Sequence, residues 1–444
     1  MDGYYAWMLI ATAIVLMMTT PALAIFYGGM TRSKSVLNMM MMSYISMGVV
    51  GIVFVLWGWS EGWGGDGAGN GNEHLIASPF KMFGLHGVSH GNYIYVLFQL
   101  TFAAITAALI SGAIADRVKF SAWVIFLPIW VTICYFPVAH NVWGGGWLAT
   151  KLDGEQDYAG GTVVHINAGI AALALILVIG PRVGFRKEPM KPHNLTLTMI
   201  GAGLLWMGWY GFNVGSIVFT ADNFADGNVL DPKTGVVGAA FSAQFQGETG
   251  VTFLNTTIAT CAAMLGWLVV ERLVHGKATA LGAASGIVAG LVAITPACGA
   301  VNLVGAIVVG GVAGILCALA VGLKNKLGYD DSLDVVGVHL VGGVAGTLLI
   351  GLVSTSDAPG GIDGLFYGGG WHSLKVQFLA MGFTILWTGI LTTVIALLIK
   401  FTIGWKIKPE AEVEGIDFDQ HGETAYDWGS SLAGSGAHLV KEGV

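Results

Sequence analysis

Charge is what this sequence has least of. Only 11% of its 444 residues are Asp, Glu, Lys or Arg, whereas a water-soluble domain carries about 25%. A soluble enzyme or a nucleic-acid binder is excluded on that ground, because neither could cover its surface. Cysteine is scarce too. Cys134, Cys261, Cys298 and Cys317 stand apart in apolar stretches and form no C-x-x-C or Cys/His cluster. Buried packing, not a disulfide or a metal site, is their expected role. No basic leader region precedes the first apolar run, which follows directly on Met1-Asp2-Gly3. That run is expected to stay as a span and not to be cleaved as a signal peptide.

Apolar residues are what the chain has in excess. They make up 55% of it, and the mean hydropathy is +0.71. The 67 glycines lie inside long apolar runs, as in membrane helices whose backbones pack closely. The net charge of −7 says little about partners, since eight of the 27 acids fall after Lys408. An all-α integral membrane protein is the expected class.

A bilayer core needs about 20 helical residues per crossing. Windows of that length predict eleven spans, beginning near Tyr5, Val36, Tyr93, Ala122, Gly161, Leu195, Val251, Ala280, Val301, Val335 and Val376. The eighth and ninth are separated only by the turn Thr295-Pro296-Ala297-Cys298-Gly299. Residues 1–400 are therefore expected to form one transmembrane domain, and 401–444 a polar tail. With the N-terminus outside, sixteen of the 20 basic residues fall on the inner side. Lys81, Lys151, Lys233 and Lys375 remain outside. The positive-inside bias thus predicts an outer N-terminus and, with an odd span count, a cytoplasmic C-terminus.

Two spans share a pattern. Val164-His165-Ile166-Asn167-Ala168-Gly169-Ile170-Ala171 and Val338-His339-Leu340-Val341-Gly342-Gly343-Val344-Ala345 both fit V-H-x-x-x-G-x-A. Each has an aspartate, Asp157 or Asp331, eight residues before its histidine. Five spans separate the two, so the second copy runs inverted through the membrane. Inverted five-helix repeats followed by one final helix would place a substrate site at the midplane between the halves, as in transporters.

Ionisable groups inside spans are costly and need a reason. His165 and His339 are either unrelated buried histidines bonded to carbonyls, or a pair that the repeat brings to one pathway as neutral imidazoles. A metal there is disfavoured, because no carboxylate or thiolate joins them at ligand spacing. Most of the 15 tryptophans, including Trp7, Trp57, Trp387 and Trp405, are expected in the interfacial belt. Phe98 and Phe102 instead share one helical face at i, i+4, as do Phe212 and Ser216, while Trp143 follows the fourth span and Trp209 lies in the sixth. Aromatic faces with a hydroxyl suit a small cation, at about 0.5–2 kcal/mol per ring. Asp157 caps the fifth helix, and its negative charge also favours a cation at the outer mouth. No nucleophile or metal triad for an intramembrane enzyme is evident.

Four stretches together resemble the Amt/Mep/Rh family of ammonium transporters, bacterial Amt branch. They are Phe98-Gln99-x-x-Phe102, Asp157-Tyr158-Ala159-Gly160-Gly161-Thr162-Val163-Val164-His165, Trp209-Tyr210-Gly211-Phe212-Asn213-x-Gly215-Ser216 and Asp331-Ser332-Leu333-Asp334-x-x-x-x-His339. The likeness extends to the tail segment Gly415-Ile416-Asp417-x-x-x-His421-Gly422-Glu423-x-Ala425-Tyr426. The resemblance implies eleven spans and a homotrimer in the cell membrane with one pore per subunit. It further implies ammonium and methylammonium as substrates, no cofactor, and a PII-type regulator at the cytoplasmic face. Phe98, Trp143 and Ser216 would recruit the cation with Asp157 in support. Phe102 and Phe212 would gate the pore, and His165 and His339 would be its twin histidines. Two other classes stay open: a neutral-gas channel of Rh type, which would not need the Trp143/Phe98/Ser216 mouth, and an ammonium sensor. A sensor would need a signalling domain, for which the tail after Lys400 is expected to be too short. That tail holds Gly415, Gly422, Tyr426 and Trp428, read here as turn and anchor residues.

Overall fold

The computed structural model describes residues 2–64, 74–217 and 239–426; Lys233, Trp428 and Lys441 lie outside the described residues. Apolar sequence with few breakers gives helices almost throughout. They are α1 Gly3–Met30, α2 Val36–Trp63, α3 His90–Ile114, α4 Phe120–Lys151, α5 Gly161–Ile179 and α6 Leu195–Val214. The chain continues with α7 Gln244–His275, α8 Ala280–Ile294, α9 Leu303–Leu327, α10 Val336–Val353 and α11 His372–Thr402. Ten of these are long and apolar enough to cross a bilayer, and α8, with 15 residues, is the shorter one. This is a multi-pass membrane protein. Among the described residues the only β pairing is two isolated bridges, Val118 with Lys406 and Val301 with Ser354.

Local chemistry sets the helix starts. Asn194, Thr279 and Asn302 cap α6, α8 and α9 by accepting from the backbone N–H groups of Leu197, Gly282 and Gly305, orphan donors that the first turn cannot satisfy itself. The helix that contains α7 begins earlier than hydropathy predicts, at Ala239 and not near Val251. In its polar first turns Glu248 is held by Tyr158 Oη at 2.7 Å and Gln244 at 3.2 Å. Trp405 departs from the belt expectation. It is buried, donates to the Ala396 carbonyl at 2.8 Å and packs its ring edge-on to Phe126.

The two helices of the repeated pattern organise the interior. The Asp157 carboxylate accepts from the N–H groups of Gly160, Gly161, Thr162 and Val163 at 2.6–3.1 Å, closing the start of α5. Asp331 does the same for α10 through Val335 and Val336, at 3.0 and 2.7 Å. Each helix then opens with a π-helical turn that carries its histidine, Gly161–Ile166 and Val336–Leu340. The end of α5 lies beside the start of α10, because Arg182 reaches Asp330. The start of α5 lies beside the end of α10, where Ser354 meets Gln156. The two helices therefore run antiparallel.

Glycine makes their crossing possible. A Cβ on Gly169 would sit 2.5 Å from the backbone nitrogen of Leu340, and one on Gly343 would sit 3.0 Å from Ile166 and 3.2 Å from His165. These are the glycines of V-H-x-x-x-G, each one turn beyond its histidine and each pressed on the partner helix.

At the other end of α5 a polar cluster ties the loops to the tail. Arg182 donates to Asp330 at 2.8 and 2.9 Å and to Asp116 at 3.0 Å, and Arg32 reaches Asp116 at 3.2 Å. The tail continues as α12 Pro409–Glu414 and α13 Ile416–His421. Glu412 accepts from the Val183 N–H, and Asp417 caps α2 by accepting from Leu37 and Asn38. Gly415 and Gly422 take positive φ, 133° and 68°, at the turns around α13. His193 joins the Thr31 carbonyl to Tyr426 Oη.

Two outcomes follow from this packing. Gly169→Ala should force α5 and α10 apart and lower stability by about 1–3 kcal/mol through overpacking; thermal unfolding in detergent reads this, and a wild-type melting curve would refute the crossing as described. Burial pushes the Asp330 carboxyl up, but the bonds and charge of Arg182, with Arg117 behind, outweigh it and hold Asp330 below the usual aspartate range. Its contribution is thus complete above the unfolded value near about 4 and is lost as pH falls through the lower folded value. Asp330→Asn should cost about 3–5 kcal/mol at neutral pH, as when one partner of a buried pair is removed. The gap between its melting temperature and the wild type's should narrow below about pH 4.

Candidate functional site

Three helices bring the flagged aromatic residues to one mouth. The α3 face presents Phe98 and Phe102 with ring centroids 4.8 Å apart. The π-helical turn Tyr210–Val214 that ends α6 presents Phe212, whose ring stacks on Phe102 at 4.0 Å and 14°. Rings at that separation are in van der Waals contact and leave no passage between them. Trp143, in α4, stands edge-on to Phe102 at 5.9 Å. Its indole N–H donates to the Asp157 carbonyl at 2.8 Å, so the loop before α5 holds the indole in place. A Cβ on Gly215 would lie 2.8 Å from the Phe98 ring, which seats the Gly215-Ser216 turn against it. The Ser216 hydroxyl donates to the Phe212 carbonyl at 2.8 Å and keeps both lone pairs free to accept.

Asp157 does not face the mouth with its carboxylate. Both oxygens are consumed by the four N–H donors at the start of α5. Burial pushes this carboxyl above the ordinary aspartate value, and the N–H donors pull it back. Its main chain reaches Trp143 while its side chain holds the His165 helix, so one residue links the mouth to the lumen.

Below the stacked pair lie the histidines. His165 and His339 are buried, with Nδ1 atoms 3.2 Å apart and rings tilted by 26°. Two Nδ1 atoms at hydrogen-bond distance require one to donate and the other to accept. In a neutral pair the accepting ring then carries its proton on Nε2 and the donating ring a bare Nε2 lone pair. The pair so presents both a donor and an acceptor outward, and His165 Nε2 has no partner. The adjoining lumen has only about 10 Å³ of free volume, roughly one water's worth. Its walls are mostly aliphatic and aromatic, including Ile105, Leu109, Val164 and Val288. Among the described residues no group of three or more His, Cys, Asp or Glu could hold a metal ion.

Two lumen residues lacked a clear signal in sequence. Trp209 stacks on His165 at 5.5 Å and 23°, its own N–H tied to Thr295 Oγ1 at 2.8 Å. It stood in the Trp209-Tyr210-Gly211-Phe212 stretch, but nothing in the spacing gave it a role. Tyr27 turns its hydroxyl away to the Leu109 carbonyl at 3.0 Å and shows the lumen its ring. Both keep polar atoms out of the path.

The described geometry has close relatives among known proteins. An ammonium transporter of Mycobacterium tuberculosis is 50% identical, with 96% of this chain and 90% of that protein covered. The crystal structure of Candida albicans Mep2 superposes with a TM-score of 0.79 at 29% identity, covering 96% of this chain and 90% of that one. A solved chain described as a sensor Amt protein superposes with a TM-score of 0.80 at 26% identity, covering 94% and 98%. The model of the Ammonium Transporter Family matches residues 6–426, and the chain belongs to that family.

Proposed function

We propose that the protein takes up ammonium across the cell membrane by binding the cation at the aromatic mouth, removing a proton and passing ammonia along the histidine-lined lumen. The observation that carries this reading is the 3.2 Å Nδ1 contact of His165 and His339 in a lumen without any carboxylate. Ammonium and potassium are alike in size and charge, so a cation filter would leak. Moving an intact cation through so apolar a channel costs several kcal/mol or more. Ammonium alone can shed its proton and cross neutral. The donor and acceptor that the histidine pair presents suit ammonia, which both donates and accepts. The mouth fits the first step: the Trp143, Phe98 and Phe102 rings attract a cation, and Ser216 offers a hydroxyl oxygen. Asp157 acts as cap and brace, and its charge adds to the field. Phe102 and Phe212 gate by parting.

The same reading includes eleven spans with the N-terminus outside and the tail in the cytoplasm, since α8 fills the one short position in the series. Three copies per assembly and a PII-type regulator at the tail face complete it. The proton travels separately, so uptake carries current. A neutral-gas channel is the competing reading, and it leaves the mouth without a purpose.

Proteoliposome currents under an ammonium gradient, recorded together with uptake, test the proposal. His165→Ala and His339→Ala should each abolish ammonium current while the protein still assembles, and His165→Asp should admit potassium. Removing one ring leaves the other unsatisfied, at about 1–3 kcal/mol. Trp143→Leu should weaken competition by methylammonium, and Asp157→Ala should lose both uptake and about 1–2 kcal/mol of stability. Wild-type currents and selectivity in both histidine variants would reduce the pair to packing.

A further inference from the structure

Away from the pathway, on the face that carries the tail, a cleft of about 450 Å³ opens between the loop 181–191 and the end of α9. Four cations line it, Arg182, Arg186, Lys187 and Lys324, against one acid, Glu188. Two of the four are already neutralised. Arg182 is held by Asp330 and Asp116, and Lys324 by Asp334 at 2.5 Å and the Asp331 carbonyl at 3.0 Å. The other two are not: among the described residues the Arg186 and Lys187 side chains make no ion pair or hydrogen bond, and both are exposed. Arg186 holds φ at +64°, a backbone that residues other than glycine seldom adopt. Across the cleft, a Cβ on Gly328 would lie 3.5 Å from Arg186 Nη1. The Glu188 carboxylate folds back over Gly184, 3.1 Å from where a Cβ there would stand.

We infer that this cleft is a binding site for a phosphorylated anion, held by Arg186 and Lys187. A guanidinium fork beside an ammonium is the donor set that matches phosphate oxygens. The volume lies within the range of small-molecule sites, about 300–1,000 Å³. Phe185, Pro189 and Met190 supply an apolar wall, so the ligand carries an uncharged body next to its phosphate. A soluble phosphate ester and a phospholipid headgroup share that chemistry. The floor of the cleft, Lys324 and Ser332, adjoins Asp331, the cap of the His339 helix, so the site stands one residue from the pore scaffold.

The test uses the full chain in detergent, as wild type, as Arg186→Gln with Lys187→Gln, and as Glu188→Gln. One arm titrates inorganic pyrophosphate by calorimetry. The other titrates delipidated protein with dioleoylphosphatidylglycerol against dioleoylphosphatidylcholine and reads binding by native mass spectrometry. At least one anionic probe should bind the wild type, more weakly as salt rises. The double variant should lose about tenfold or more in affinity, as expected when charge-assisted bonds are removed, and Glu188→Gln should tighten it. Pyrophosphate binding alone assigns the site to a soluble phosphate, and phosphatidylglycerol binding alone to a lipid headgroup. All three side chains are exposed, so the variants should elute and melt as wild type. Equal binding of both probes to wild type and double variant, or no effect of Glu188→Gln, overturns the inference.

Discussion

The approach of α5 and α10 at Gly169 and Gly343 is the constraint on which the rest depends. A Cβ at Gly169 would strike the Leu340 backbone and one at Gly343 would press on Ile166 and His165, so the two glycines let the antiparallel helices come close where His165 and His339 touch. The π-helical turns that carry the rings widen each helix by one residue just there, and such turns recur at functional positions. The aspartate caps fix where each turn begins. Move either cap by one residue and its histidine rotates by about 100° around the helix, away from its partner. Cap, widened turn and glycine act as one unit, present twice in opposite directions.

Polar groups within the helices do more than one kind of work. Several tie two elements together: Thr388 to Asn167, Trp130 to Thr392, Trp209 to Thr295, Asn255 to the carbonyls of Cys298 and Val301. Others, such as Thr106, Thr252 and Thr260, return to a carbonyl one turn back in their own helix. An unpaired polar atom in a low-dielectric interior is costly, and His165 Nε2 is one of several buried polar atoms left without a partner, alongside Trp59 Nε1, Tyr135 Oη and Thr347 Oγ1. Charge is gathered instead beyond the helix ends. Arg117, fully buried, is satisfied by the carbonyls of Ala113, Ala115, Gly180 and Asp330 and by Ser332. Burial lowers its pKa only to about 10, which leaves it a cation at neutral pH. It draws the loops after α3, α5 and α9 onto one charge; the tail packs on that platform through Glu412 and on the start of α2 through Asp417.

The spans were legible because membrane helices declare themselves by hydropathy, and the repeat because V-H-x-x-x-G recurs with an aspartate at the same offset. The glycine in that pattern turned out to be the crossing point itself, a meaning that spacing alone does not carry. Less legible was everything that depends on contact between distant segments. Asp417 capping α2 joins residues 380 apart in the chain, and no local signal marks an acid for that task. Trp405 looked like any interfacial tryptophan, because its burial against Phe126 is a property of the folded tail. The early start of the α7 helix was missed for the opposite reason: its first turns hold polar residues, and hydropathy cannot see a helix end held by Tyr158 and Glu248.

For the proposed ammonia path, the small volume beside the histidines is an advantage. A wider channel would hold a chain of waters, and water would restore to any cation the solvation that the apolar walls deny it. With about 10 Å³ free, there is room for one small neutral molecule and none for a hydrated ion. In the function proposed above, discrimination rests on how readily a solute gives up its charge, which no alkali cation can do. The stacked Phe102 and Phe212 close the lumen on the side of Trp143. The hydroxyl of Tyr27 and the indole N–H of Trp209 are both turned away into their own bonds, so no further polar group invites water in. Under the proposed function, selectivity comes from what the walls withhold, with the imidazole pair as the polar foothold they allow.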